Sequence, residues 1–176
     1  MSSQRIAAII PGSRPELQTI EARISAARGR ISPLYGVLLN SPTVVDGWEA
    51  LLTAIRQKTG ISARLRELTI LRVAVLNRAP YEFEAHISHA KAAGMTDEMI
   101  EALRAPADPD DIAGIEPLDR IVLRYTDSMT RDIHVPDDVY QALQTHFDDQ
   151  AIVELTATIA AYNMVSRFLS ALRIGH

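Results

Sequence analysis

Proline and glycine cut this chain into pieces of helical length, and that punctuation constrains its fold more than any other feature. Pro15 can open a helix through about Ala27, and Gly29 ends it. Pro33 opens a short apolar helix, Leu34 to Leu39, and Asn40-Ser41-Pro42 breaks it and starts another that runs to about Lys58. Gly60 stands where a residue just past a helix end belongs. Ser62 can cap a helix from Ala63 to Asn77, which Arg78-Ala79-Pro80 interrupts before a new one from Tyr81 to Ala93, ended by Gly94. Thr96 caps a further helix with Asp97 and Glu98 in its first turn, where the helix dipole favours acids. Residues 106–116 read as a surface loop, and helical stretches follow at 117–130, 136–147 and 149–173. Apolar–polar alternation bounded by hairpin turns is missing. The expected fold is therefore all-α, with 1–14 irregular and 15–176 a single domain.

Composition narrows the chemistry. There are no cysteines in the 176 residues, so disulfides, thiolate nucleophiles, Cys metal sites and thiol peroxidase chemistry are excluded. The net charge is −4, with acids and bases interspersed, which argues against nucleic-acid or anionic-membrane partners. The apolar run Ile6–Ile10 is too short for a signal peptide, and no stretch approaches the roughly 18 apolar residues of a membrane span. The expectation is a cytoplasmic soluble protein.

Two segments place titratable groups where they are costly. From Ile70 to Leu76 the helix is apolar nearly all round, which marks it as buried, and Glu67 shares a face with Ile70, Leu71 and Ala74. A carboxylate there must be paired or protonated; Arg64, one turn before it, is the plain structural partner. Arg72 lies on another face and also needs a partner. It is either an ion pair, within or between subunits, or a fork for a substrate carboxylate. On the next helix Glu82, His86, His89 and Ala93 form one stripe. A carboxylate one turn before an imidazole suits general acid–base work. The same three polar residues read less well as a metal set, because paired metal-binding histidines usually sit four residues apart. Tyr81 supplies a phenol or simply packs, and Trp48 is a packing residue or an oligomer anchor. His134 and His146 carry no sign of chemistry. Glu67-Leu68-Thr69 followed by Ala74 is weakly repeated as Glu154-Leu155-Thr156 followed by Ala161, compatible with a duplicated helical unit.

The stretch Arg66-Glu67-Leu68-Thr69-Ile70-Leu71-Arg72-Val73-Ala74, then Tyr81-Glu82-Phe83-Glu84-Ala85-His86 and Ala90 to Gly94, resembles the core of the carboxymuconolactone decarboxylase/AhpD-like superfamily. The resemblance covers about residues 15–173, with the specific motif in 66–94. Its peroxidase branch begins the second helix with Cys-x-x-Cys-x-x-x-His; the two cysteine positions are Ala79 and Glu82 here, so the thiols are absent while Glu67 and His86 match. The decarboxylase-like branch has Tyr-Glu-Trp/Phe-x-x-His and needs no cofactor or metal.

The resemblance thus implies a cofactor-independent lyase acting on a small carboxylated lactone or related organic acid. His86, Tyr81, Glu82 and Glu67 would serve the proton chemistry, and Arg72 and His89 would bind substrate. An isomerase or hydratase at the same site, and a non-catalytic oligomeric scaffold, are the alternatives. The family also implies a homo-oligomer, a trimer or a hexamer of trimers ahead of a dimer.

Overall fold

Each cap that the sequence sets out finds its backbone partner. Ser62 Oγ accepts from the Leu65 N–H at 3.2 Å, and Thr96 Oγ accepts from the Met99 N–H at 3.2 Å. Asp148 opens the last helix by accepting from the Ala151 N–H at 2.8 Å. In the computed structural model, which describes residues 4–175, the regular elements are helices throughout. They are α1 (Gln18–Arg28), α2 (Pro33–Leu38), α3 (Pro42–Gln57), α4 (Ala63–Leu76), α5 (Pro80–Ala92), α6 (Asp97–Ala102), α7 (Pro117–Arg131), α8 (Asp137–Gln144) and α9 (Asp149–Leu172). Pro15 opens a short 3-10 turn, Pro15–Leu17, rather than the α-helix itself, which starts at Gln18. Residues 4–14 form no helix, as expected, while residues 1–3 lie outside the described residues. Among the described residues no helix is long and apolar enough to cross a membrane.

The chain divides into two compact units. The first runs through Lys58 and resumes at Leu169. A buried polar cluster ties its helices: Arg28 Nε donates to Glu49 at 3.2 Å, Arg28 Nη2 to Thr53 at 3.1 Å, and the Thr53 hydroxyl to Glu49. Burial first, and the hydrogen bond to Glu49 second, push the Tyr35 phenol well above its ordinary range. The extended N-terminal segment is held by Ile9 N–H donating to Gly36 O at 2.8 Å. It passes so close to α2 that a Cβ on Gly36 would stand 2.9 Å from the Ala8 Cβ, so only glycine fits there.

The second unit, Thr59–Phe168, is built around α4. Every residue from Glu67 to Ala74 is buried, which is what an apolar-all-round helix requires. α5 and α7 pack on it. Only Asn77–Ala79 separate α4 from α5, and Glu67 near the start of α4 meets His86 beyond the middle turn of α5, so the two run antiparallel.

The reversal between them is a Schellman cap. Ala79 N–H reaches Ala74 O at 2.8 Å, Arg78 N–H reaches Val75 O at 3.0 Å, and Arg78 has φ +54°. Glycine usually holds such a position. The end of α5 repeats the motif with Gly94 at φ +88°.

Candidate active site

Helix α4 delivers Glu67 to α5 below the surface. The carboxylate is 2% exposed and its Oε2 lies 2.7 Å from His86 Nδ1, on a ring that is itself buried. The other carboxylate oxygen takes a longer contact from Arg66 Nε at 3.4 Å. Arg64, the partner expected from spacing, is elsewhere. Its guanidinium makes two bonds, of 2.6 and 2.7 Å, to Asp119 of α7, in the forked geometry that arginine and a carboxylate favour. The Tyr162 ring of α9 stands edge-on to the His86 imidazole, centroids 5.2 Å apart, and the exposed His89 ring lies 5.5 Å away.

Glu82, one turn before His86, faces α9 instead of α4. It is 2% exposed and contacts the Ser166 hydroxyl. That hydroxyl also lies 2.9 Å from the Tyr162 carbonyl, which can only accept. Ser166 has one hydrogen to give. Ser166 gives it to Glu82 Oε2, and the Tyr162 carbonyl competes for it. Burial raises the Glu82 carboxyl from 4.5 to about 8, outweighing the Ser166 bond that lowers it. The second Glu82 oxygen is buried without a hydrogen bond, tolerable for a neutral acid and costly for an anion.

Arg72 does not reach this group. It is fully buried and holds Asp127 of α7 with two bonds, 2.6 and 2.5 Å, and the Ala107 carbonyl with a third at 2.7 Å. The fork proposed for a substrate carboxylate is occupied by Asp127, and the ion-pair reading of Arg72 is the one the fold realises. Tyr81 is half-buried in the first turn of α5. Glu82, His86 and His89 do not converge as ligands, since Glu82 turns to Ser166 and His86 to Glu67. Among the described residues no group of three His, Cys, Asp or Glu is arranged to hold a metal ion. The repeat is not matched in environment: half-buried Glu154 accepts from the Gly60 N–H at 2.7 Å and has no histidine partner there.

Sequence reasoning missed Ser166 and Tyr162. Both lie far along the chain on α9, and only the small residue at Ser166, on the face that also carries Tyr162, could have hinted at them. A cavity of about 650 Å³ also opens in this unit. It is lined on α5 by Pro80, Phe83 and Glu84, not by Glu67 or His86.

A family model for the carboxymuconolactone decarboxylase family matches residues 42–113, which contain Glu67, Glu82 and His86. The uncharacterized protein YdfG of Bacillus subtilis (strain 168) is 27% identical over 116 residues, covering 63% of this chain and 75% of YdfG. The fold is that of an uncharacterized peroxidase-related protein from Ralstonia eutropha JMP134 with an alkylhydroperoxidase AhpD core (TM-score 0.83, 16% identity, 99% of this chain and 92% of that one). It is also that of a variant of the debrominase Bmp8 solved with 2,3,4-tribromopyrrole (TM-score 0.78, 15% identity, 98% and 91% covered).

Proposed function

We propose that this chain, whose residues 42–113 match the model of the carboxymuconolactone decarboxylase family, is a small-molecule enzyme using Glu67 and His86 as its proton-transfer pair. The observation that carries the proposal is the buried 2.7 Å contact between Glu67 Oε2 and His86 Nδ1. A carboxylate on Nδ1 fixes the ring's orientation and stabilises its protonated form, so Nε2 becomes the atom that gives or takes a proton. Groups paired this way in a low dielectric are the arrangement general acid–base catalysis needs.

The reaction class we assign is decarboxylation of a small carboxylated lactone or related organic acid. The bond from the carboxylate to the ring carbon breaks and carbon dioxide leaves. Its electron pair passes into the adjoining carbonyl as an enolate, and His86 returns a proton to the carbon. Neutral Glu82, tied to Ser166, is a positioning group beneath the same helix face. Tyr81 and His89 flank it on α5 as the candidates for oxyanion and substrate contact. Arg72 is not given the carboxylate-anchoring role, because Asp127 holds it.

Thiol-dependent peroxide reduction is outside this reading. Ala79 and Glu82 stand where the peroxidase branch carries its thiols, and the sequence has no cysteine to replace them.

The test is a screen of purified protein against carboxylated lactones, with the product identified and His86→Ala assayed beside the wild type. Release of carbon dioxide that the variant loses by roughly 10²–10⁴-fold supports the assignment. Turnover by isomerisation or hydration with the same loss keeps the proton pair and replaces the reaction class. No histidine-dependent turnover of any kind ends it.

A further inference from the structure

A cavity opens at the α4–α5 corner. Its floor is apolar, made by Val75 and Leu76 from the end of α4 and by the Phe83 ring of α5. Its rim carries three guanidinium groups, Arg78, Arg104 and Arg131, against one carboxylate, Glu84. Arg104 is committed already: it pairs with Glu84 at 2.6 Å and Glu101 at 2.7 Å, and it stacks over Phe83 with 4.7 Å to the ring centroid. Arg131 keeps only loose contacts, 3.7 Å to Asp127 and 3.4 Å to the Pro106 carbonyl. Arg78 has no ion-pair partner among the described residues. The uncompensated positive charge of the rim therefore sits on Arg78 and Arg131.

The backbone at Arg78 adds an independent observation. It occupies the left-handed C′ position of the Schellman cap, φ +54°, where glycine sits without strain and a side chain is penalised. The equivalent position is Gly94 at the end of α5 and another arginine, Arg173 at φ +53°, at the end of α9. What sets Arg78 apart is that it lines the apolar cavity.

We propose that this cavity is a binding site for a small organic carboxylate with an apolar body, its ring or chain against Phe83, Val75 and Leu76 and its carboxylate held by Arg78 and Arg131. Pro80, Phe83 and Glu84 lie on a different side of α5 from Glu82, His86 and His89, so the site is distinct from the acid–base pair and does not rest on that reading.

Titration calorimetry on the full chain tests it, with benzoate as the probe and benzamide as its uncharged counterpart. Benzoate should bind, and benzamide should bind at least about tenfold more weakly, because it lacks the charge the guanidinium groups face. Arg78→Gly and Arg131→Gln should each weaken benzoate by about tenfold or more. His86→Ala should leave its affinity unchanged. Arg78→Gly supplies the readout that a purely structural arginine would not give: its thermal midpoint should hold or rise by roughly 2–4 °C as strain is relieved, while binding falls. The proposal is overturned if benzoate does not bind, if benzamide binds equally well, or if both arginine variants bind as the wild type does. It is equally overturned if His86→Ala alone abolishes binding.

Discussion

At the scale of single residues, the fold separates two glutamates that the sequence leaves alike. Glu67 is paired with an imidazole, and Glu82 accepts from a hydroxyl in a site with no charged partner for it among the described residues. Burial pushes the Glu82 carboxyl up to about 8, against an ordinary 4.5. Between those values the folded state holds a proton that the unfolded state has released. The contribution of Glu82 to stability is thus full below about pH 4.5 and is lost as pH rises toward 8, with a slope of up to about 1.4 kcal/mol per pH unit. Glu82→Gln keeps an acceptor for Ser166 and removes the titration. Subtracting its denaturant-derived stability curve from the wild-type curve should expose that slope; parallel curves would mean that Glu82 is already ionised. The burial that forces this behaviour was legible for Glu67, whose apolar neighbours repeat at helical spacing. Its partner was not: Arg64 was the local choice, and the choice went to Asp119 on α7, a contact no local spacing encodes.

At the scale of elements, nearly every helix boundary was written in the sequence, because caps, prolines and glycines act within a turn of themselves. Ser62, Thr96 and Asp148 each sit where a side-chain oxygen meets an orphan N–H. Ser62→Ala should lower stability by about 1 kcal/mol in chemical denaturation, and an unchanged midpoint would show that α4 is set by packing alone. What joins α4 to α7 was only half legible. Arg72 clearly needed an anion, but Asp127 lies on a helix that the pattern of Arg72's own helix cannot locate. Removing the acid leaves a buried guanidinium uncompensated. Asp127→Ala is therefore expected to destabilise the protein by about 3–5 kcal/mol, read as a shifted denaturation midpoint. A loss under about 1 kcal/mol would mean that water or the Ala107 carbonyl suffices for Arg72.

At the scale of the whole molecule, the all-round apolar character of α4 is accounted for within the chain, since α5 and α7 cover it. The surface that still calls for a partner is elsewhere: Val44 and Leu51, two turns apart on α3, are 49% and 46% exposed, and Val153 on α9 is 66% exposed. We propose that such residues are covered in a homo-oligomer, for which the family resemblance implies a trimer or a hexamer of trimers. Light scattering at micromolar concentration should report one of these, and a monomer would count against it. With no cysteine in the sequence, dithiol-dependent peroxidase assays should read at background, and turnover free of metal or haem contamination would contradict a mechanism without thiols.

The central claim, that Glu67 and His86 together move a proton in small-molecule chemistry, is tested most directly by turnover in deuterium oxide with a carboxylated lactone, comparing wild type, His86→Ala and Glu67→Gln at matched folding. The account predicts a product deuterated at the carbon that lost carbon dioxide, and a rate that falls by about 10²-fold or more in each variant. It also predicts that the double variant is little worse than either single one, because the pair acts as a unit. Full activity in both single variants would contradict it.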